Sequence, residues 1–124
     1  MRHPNGDGFV AETAFVADTV YVGPDAKVLD CACITGCASI EGNAIIKDHA
    51  TVHGSARIFD YAVVKGDAKV HGHAHVYGNA IIVNFANIKG HARVCGDAVV
   101  CDYVVVKGKA FVTGFTSGNQ KVKK

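Results

Sequence analysis

Apolar and polar positions along this chain repeat every six residues. From Val10 to Val112 each sixth residue is Val or Ile, 18 positions without a miss, 12 of them Val and 6 Ile. Two residues before each stands a second register, Ala14 to Ala110, in which 15 of 17 positions are Ala and the others are Val20 and Val104. Two residues after each Val or Ile, a third register from Glu12 to Gly114 holds ten Gly, five Asp, one Asn, Glu12 and Pro24. The unit is Ala-x-Val-x-Gly-x. Within it Ala-x-Val-x alternates with period two, so Ala and Val point to one side of an extended segment and the intervening residues to the other. A β-branched residue favours strand and fills volume, while Ala leaves room for the chain opposite. The Gly, Asp or Asn position supplies turn chemistry, because these types tolerate left-handed or bridge dihedrals at low cost. Helix is excluded, since this period spreads Val and Ala over incompatible sides of a spiral of about 3.6 residues per turn. Hairpins closed so often make a poor antiparallel sheet, whereas short strands that always bend the same way and stack coil on coil satisfy the pattern.

The pattern of an aliphatic residue followed four positions later by a small one, as in Val10/Ala14, Val28/Ala32, Ile34/Ala38, Ile46/Ala50 and Val76/Ala80, resembles the hexapeptide-repeat family. That resemblance covers roughly residues 9 to 115 and implies an all-β fold, a single-stranded left-handed parallel β-helix (β-solenoid) with triangular coils of 18 residues. The hand comes from the resemblance alone, because period fixes none and ordinary crossovers are right-handed. Val10 to Val112 then makes about 5.7 coils, a prism about 27 Å tall at a strand spacing of about 4.8 Å. Residues 1–8 are expected to form a lead-in, 9–115 the repeat domain and 116–124 a polar tail. In the family's enzymes Gly commonly follows the aliphatic residue directly. Here it sits one place later, as in Val52-His53-Gly54 and Val70-His71-Gly72, similar to the simple variant of uncharacterised and modular repeat proteins. The opening His3-Pro4-Asn5-Gly6 through Val22-Gly23-Pro24 is similar to the start of repeat modules in large secreted bacterial proteins.

Eighteen residues per coil sort the outward residues into columns on three faces. Face one stacks Ile45, Val63, Ile81 and Val99, with Val83 and Cys101 beside them. β-Branched residues stack well in a ladder, but a contiguous apolar patch also predicts a buried association surface, in a homo-oligomer (dimer or trimer) or against another domain. Face two is polar and mildly basic toward the later coils, with Lys69, Lys89 and Lys107. Face three sets Phe59 and Tyr77 beside Arg57, His75 and Arg93. Such a group offers a surface for a sugar ring or a base, and ladder packing accounts for the same residues without a ligand.

Charge and chemistry narrow the classes further. With 13 Lys and Arg against 11 Asp and Glu, a net charge of +2 gives no bias toward nucleic acid or an anionic membrane. The start of the chain lacks the basic stretch and long apolar run of a secretion signal, and no apolar run is long enough to span a bilayer, so no membrane insertion is expected of the chain as given. Seven His residues raise a metal hypothesis, with His53/His71 and His73/His91 as column neighbours. A zinc site wants three or four convergent ligands, which these pairs do not supply. Family carbonic anhydrases use three His across a subunit interface; no set here reproduces their offsets. Family acyltransferases add a projecting loop and a C-terminal segment, and no insertion separates the hexads here. No cofactor is implied. Five Cys (31, 33, 37, 95 and 101), no two of them one coil apart, favour free thiols and a reducing or anaerobic setting, while the module resemblance allows a secreted parent. The expectation is a non-catalytic scaffolding solenoid that self-associates, set against a hexapeptide-repeat enzyme, acyltransferase-like or carbonic-anhydrase-like, with its site at a subunit interface.

Overall fold

A computed structural model of the chain describes residues 1–123. Two-residue strands recur in step with the sequence period, beginning with β1 (Phe9–Val10), β2 (Phe15–Val16) and β3 (Tyr21–Val22) and continuing to β18 (Phe111–Val112). Each strand pairs in parallel with the strand one coil later, as in Val63↔Ile81 and Val64↔Ile82. The result is three sheets wound into a left-handed parallel β-helix with triangular coils, about 6 turns tall. This is the fold that the hexapeptide resemblance implied.

Alternation decides inside from outside. The first residue of each strand faces out and the second faces in, so Val22, Ile34, Ile46, Val64, Val76 and Ile88 are all fully buried. The Ala register joins them inside from Ala26 to Ala110, and together they form one continuous apolar core. Between strands, the Ala N–H donates back across the turn, as from Ala62 to Phe59 O at 3.4 Å. The Gly, Asp or Asn at the turn lies in the left-handed region, with φ of 58° to 72° from Asp30 to Gly108. That is why this position tolerates so few residue types.

The three turns define three corners. Corner one holds Asp30, Asp48, Gly66, Asn84 and Asp102; corner two holds Gly36, Gly54, Gly72, Gly90 and Gly108; corner three holds Gly42, Asp60, Gly78 and Gly96. Where Asp stands, its carboxylate accepts the turn N–H of the next coil: Asp30 from Asp48 at 3.2 Å, Asp48 from Gly66 at 3.0 Å and Asp60 from Gly78 at 3.1 Å.

Both ends depart from the period. At the start, Met1 O accepts from Val10 N at 2.7 Å and Asn5 O from Val22 N at 3.0 Å, so the lead-in takes the place of a lower coil beneath β1 and β3. His3 plugs the prism: it is 5% exposed, and its Nε2 lies 2.7 Å from Val20 O. Because a carbonyl only accepts, Nε2 carries the proton. At the other end, Thr113 and Gly114 shorten the connection, and β19 (Phe115–Thr116) and β20 (Lys121–Val122) pair at a step shorter than a full coil, as in Val99↔Phe115 and Val105↔Lys121. Thr116, Lys121 and Val122, from the segment set apart by composition as a polar tail, thus add to the ladders. Among the described residues no helix is long and apolar enough to cross a membrane.

Candidate functional site

With the coils in strict register, outward side chains become rows along the axis. Arg57, His75 and Arg93 follow one another on face three through the pairs Arg57↔His75 and His75↔Arg93. Around corner two, His73 stacks on His91 with ring centroids 4.9 Å apart and planes 5° from parallel. On face two, His53 stacks on His71 at 4.7 Å and 5°, and His71 Nε2 donates to Asn87 Oδ1 at 2.9 Å. The spacing of both pairs is that of the strands, about 4.8 Å. The backbone period therefore sets the ring separation.

This geometry bears on the metal hypothesis. Two parallel, face-to-face imidazoles aim their nitrogens side by side and not at a common point. Among the described residues no group of three or more His, Cys, Asp or Glu converges enough to hold a metal ion.

Phe59 and Tyr77 come together as the columns require, stacked at 4.8 Å and 3°. Their facing surfaces cover each other. Arg57 lies 5.5 Å from the Phe59 ring centroid and 3.4 Å from Glu41, and His75 meets Phe59 edge-on at 6.5 Å. A hydrogen bond with the Cys95 side chain, then burial, raises the Tyr77 pKa. Partial burial first, then the positive charges of Arg57, Arg93, His73 and His91, lowers the pKa of His75 below 6.5. His53 is lowered by partial burial, then His71 and Lys69. Both rings therefore favour the neutral form.

Above His75 the ridge opens into a cleft of about 630 Å³ lined by His91, Arg93, Lys109 and Phe111. Only His91 among these lay in a metal pair and only Arg93 in the face-three group; Lys109 and Phe111 join them because the corner brings two columns side by side. A second stacked pair, Phe85 and Tyr103 at 5.0 Å on corner one, was also detectable in the sequence, since the two stand one coil period apart. His3 carried no such signal, because it lies outside the repeat.

On face one, Ile45, Val63, Ile81, Val83 and Val99 are outward and half-buried, in register through Val63↔Ile45 and Ile81↔Val99. Cys101 differs from its column neighbours: it is 9% exposed, its thiol lies 3.7 Å from Thr116 O, and burial raises its pKa. All five cysteines are free, Cys31 and Cys37 exposed and Cys95 buried.

No family model matches the chain, and neither a curated protein nor a solved structure matches it at a significant level. What is established is the class of architecture, a β-solenoid.

Proposed function

We propose that this chain is an architectural module: a rigid β-solenoid that self-associates through face one and spaces or presents parts of a larger assembly, with no catalysis of its own. The observation that carries the reading is the in-register outward column Ile45-Val63-Ile81-Val99, with Val83 alongside. Lys47 and Lys65 border it toward the lower coils. An apolar centre with a charged margin is the usual anatomy of a protein interface. A flat face built from two-residue strands is also stiff, so little ordering is needed on contact. The uninterrupted coils favour a spacer, because loops are where catalytic and binding groups usually sit.

The test is the mass of the particle. Light scattering should give a multiple of 13.0 kDa for the parent chain and a single chain for the Val63→Lys/Ile81→Lys variant, with its β-rich circular dichroism retained. A parent that is monomeric at high micromolar concentration would rule out self-association.

A further inference from the structure

Charge on this molecule is sorted by corner. Arg57, His73, His75, His91, Arg93 and Lys109 line corner two and the adjoining edge of face three, and His53, His71, Lys89 and Lys107 line the adjoining edge of face two. The acids lie elsewhere: Asp30, Asp48, Asp67 and Asp102 at corner one, Asp25, Asp60 and Asp97 at corner three. Glu41, bonded to Arg57 at 3.4 Å, and Asp18 at the base are the carboxylates on the ridge side. A chain of net charge +2 therefore carries a strongly basic edge.

A second observation is independent of the side chains' charge. At corners one and three the solenoid shows how an anionic oxygen docks on a turn, since Asp48 and Asp60 each receive a turn N–H from the next coil at 3.0 and 3.1 Å. At corner two Gly holds this position from Gly36 to Gly108, so no carboxylate comes from within, and the N–H groups of Gly54, Gly72, Gly90 and Gly108 have no protein acceptor among the described residues. Turn N–H groups left without a protein acceptor beside cationic side chains are an anion-binding arrangement.

We infer that corner two binds a linear acidic polysaccharide, whose carboxylate or sulfate oxygens occupy the places that Asp side chains fill at the other corners while Arg93, Lys109 and the histidines flank them. The row from Arg57 to Lys109 spans about 14 Å at one strand spacing per coil, room for an extended polymer along the axis. Nucleic acid fits less well. Duplex readout requires an element that enters a groove, and single strands are held by rows of open aromatic faces on which successive bases stack, whereas along corner two Phe111 is a single exposed ring at one end, and Phe59 and Tyr77, toward corner three, cover each other's facing surfaces at 4.8 Å. The inference does not rest on self-association. In a triangular section corner two lies opposite face one, so an assembly joined through face one would display its ridges outward.

Heparin is the probe, with an oligothymidylate of similar charge as competitor, measured at low salt by fluorescence anisotropy. Heparin should bind more tightly at pH 5.5 than at pH 8, because His75 lies among Arg57, Arg93, His73 and His91 and its protonation adds charge to the ridge. Affinity should fall with salt, as for any polyanion whose counterions are released. Arg93→Glu/Lys109→Glu should weaken binding about tenfold or more, the scale of losing close charge pairs. Gly72→Asp/Gly90→Asp, which fills two turn N–H groups from within, should do the same while the chain still melts cooperatively. Lys47→Glu/Lys65→Glu changes the net charge more than the Gly variant does, but on face one, and should leave binding nearly intact. Equal loss in that control, no loss in the Gly variant, or no heparin binding at pH 5.5 would overturn the inference. Tighter binding of the oligothymidylate would overturn it in favour of nucleic acid.

Discussion

Replacing Gly72 separates two costs that this fold combines at every turn. Gly72 has φ of 68°, and a Cβ built there lies 2.9 Å from Gly90 N. Alanine would therefore meet both the left-handed backbone penalty for an L-residue, about 1–2 kcal/mol, and a contact that the next coil must relieve by shifting. Aspartate would meet the same contact, yet it tolerates the left-handed region better and brings a carboxylate. Asp48, at φ 60°, uses that carboxylate to accept Gly66 N–H at 3.0 Å. A hydrogen bond to a charged group contributes about 1.5–3 kcal/mol when buried, and solvent at the corner reduces this to about 1 kcal/mol. Gly72→Ala should thus lose about 2 kcal/mol and Gly72→Asp less than about 1 kcal/mol. For a chain of this size each kcal/mol moves the melting temperature by about 3–5 °C. Thermal melts followed by circular dichroism at pH 7 would read a difference of several degrees in favour of Asp. The advantage should vanish once acidification protonates the carboxylate, whose ordinary pKa is about 3.9. Equal destabilisation by Ala and Asp at pH 7 would refute both the capping role of the turn carboxylates and the view that corner two lacks an internal acceptor.

Val76 is fully buried, so Val76→Asp removes about 1.5–3 kcal/mol of apolar burial and places a carboxyl among aliphatic side chains. A urea titration should show the central coils unfolding early, while His75→Asp, one residue away and outward between Arg57 and Arg93, should be mild. The lowered pKa values of His53 and His75 mean that the unfolded chain binds more protons than the folded one near their titration. Their contribution to stability is present above about pH 6.5 and lost as pH falls through the folded values, so melting temperature should drop between pH 8 and 5, and heparin should reverse part of that drop. His3→Ala leaves the Val20 carbonyl unpaired beneath the first coil and costs about 1–3 kcal/mol. Freed edges on β1 and β3 should then appear as concentration-dependent aggregation in light scattering.

The repeat alone determined that the elements are short parallel strands, which residues are buried and which outward side chains are neighbours. Val, Ala and Gly recur at fixed offsets, and a strand has only two sides, so the inward set follows once the period is known. The coil period by itself places His71 above His53 and Tyr77 above Phe59, because identical coils bring equal phases together. Columns do not reveal which part of a side chain remains available. Arg57, Phe59, His75, Tyr77 and Arg93 are adjacent as expected, but the tertiary structure decides that the aromatic faces cover each other and that Lys109 and Phe111 share a cleft with His91 and Arg93.

The ends were illegible for a different reason. A periodic signal describes a coil's relation to the next coil, and at an end there is no next coil. His3 beneath Val20, the lead-in strapped to Val10 and Val22, and the shortened step into β19 depend on chain that crosses the axis out of phase. Net charge, likewise, sums over all three corners, whereas only the winding of the chain brings Arg57, Arg93, Lys109, His73, His75 and His91 together at corner two and leaves its turn N–H groups without the carboxylates that serve turns such as Gly66 and Gly78 at corners one and three.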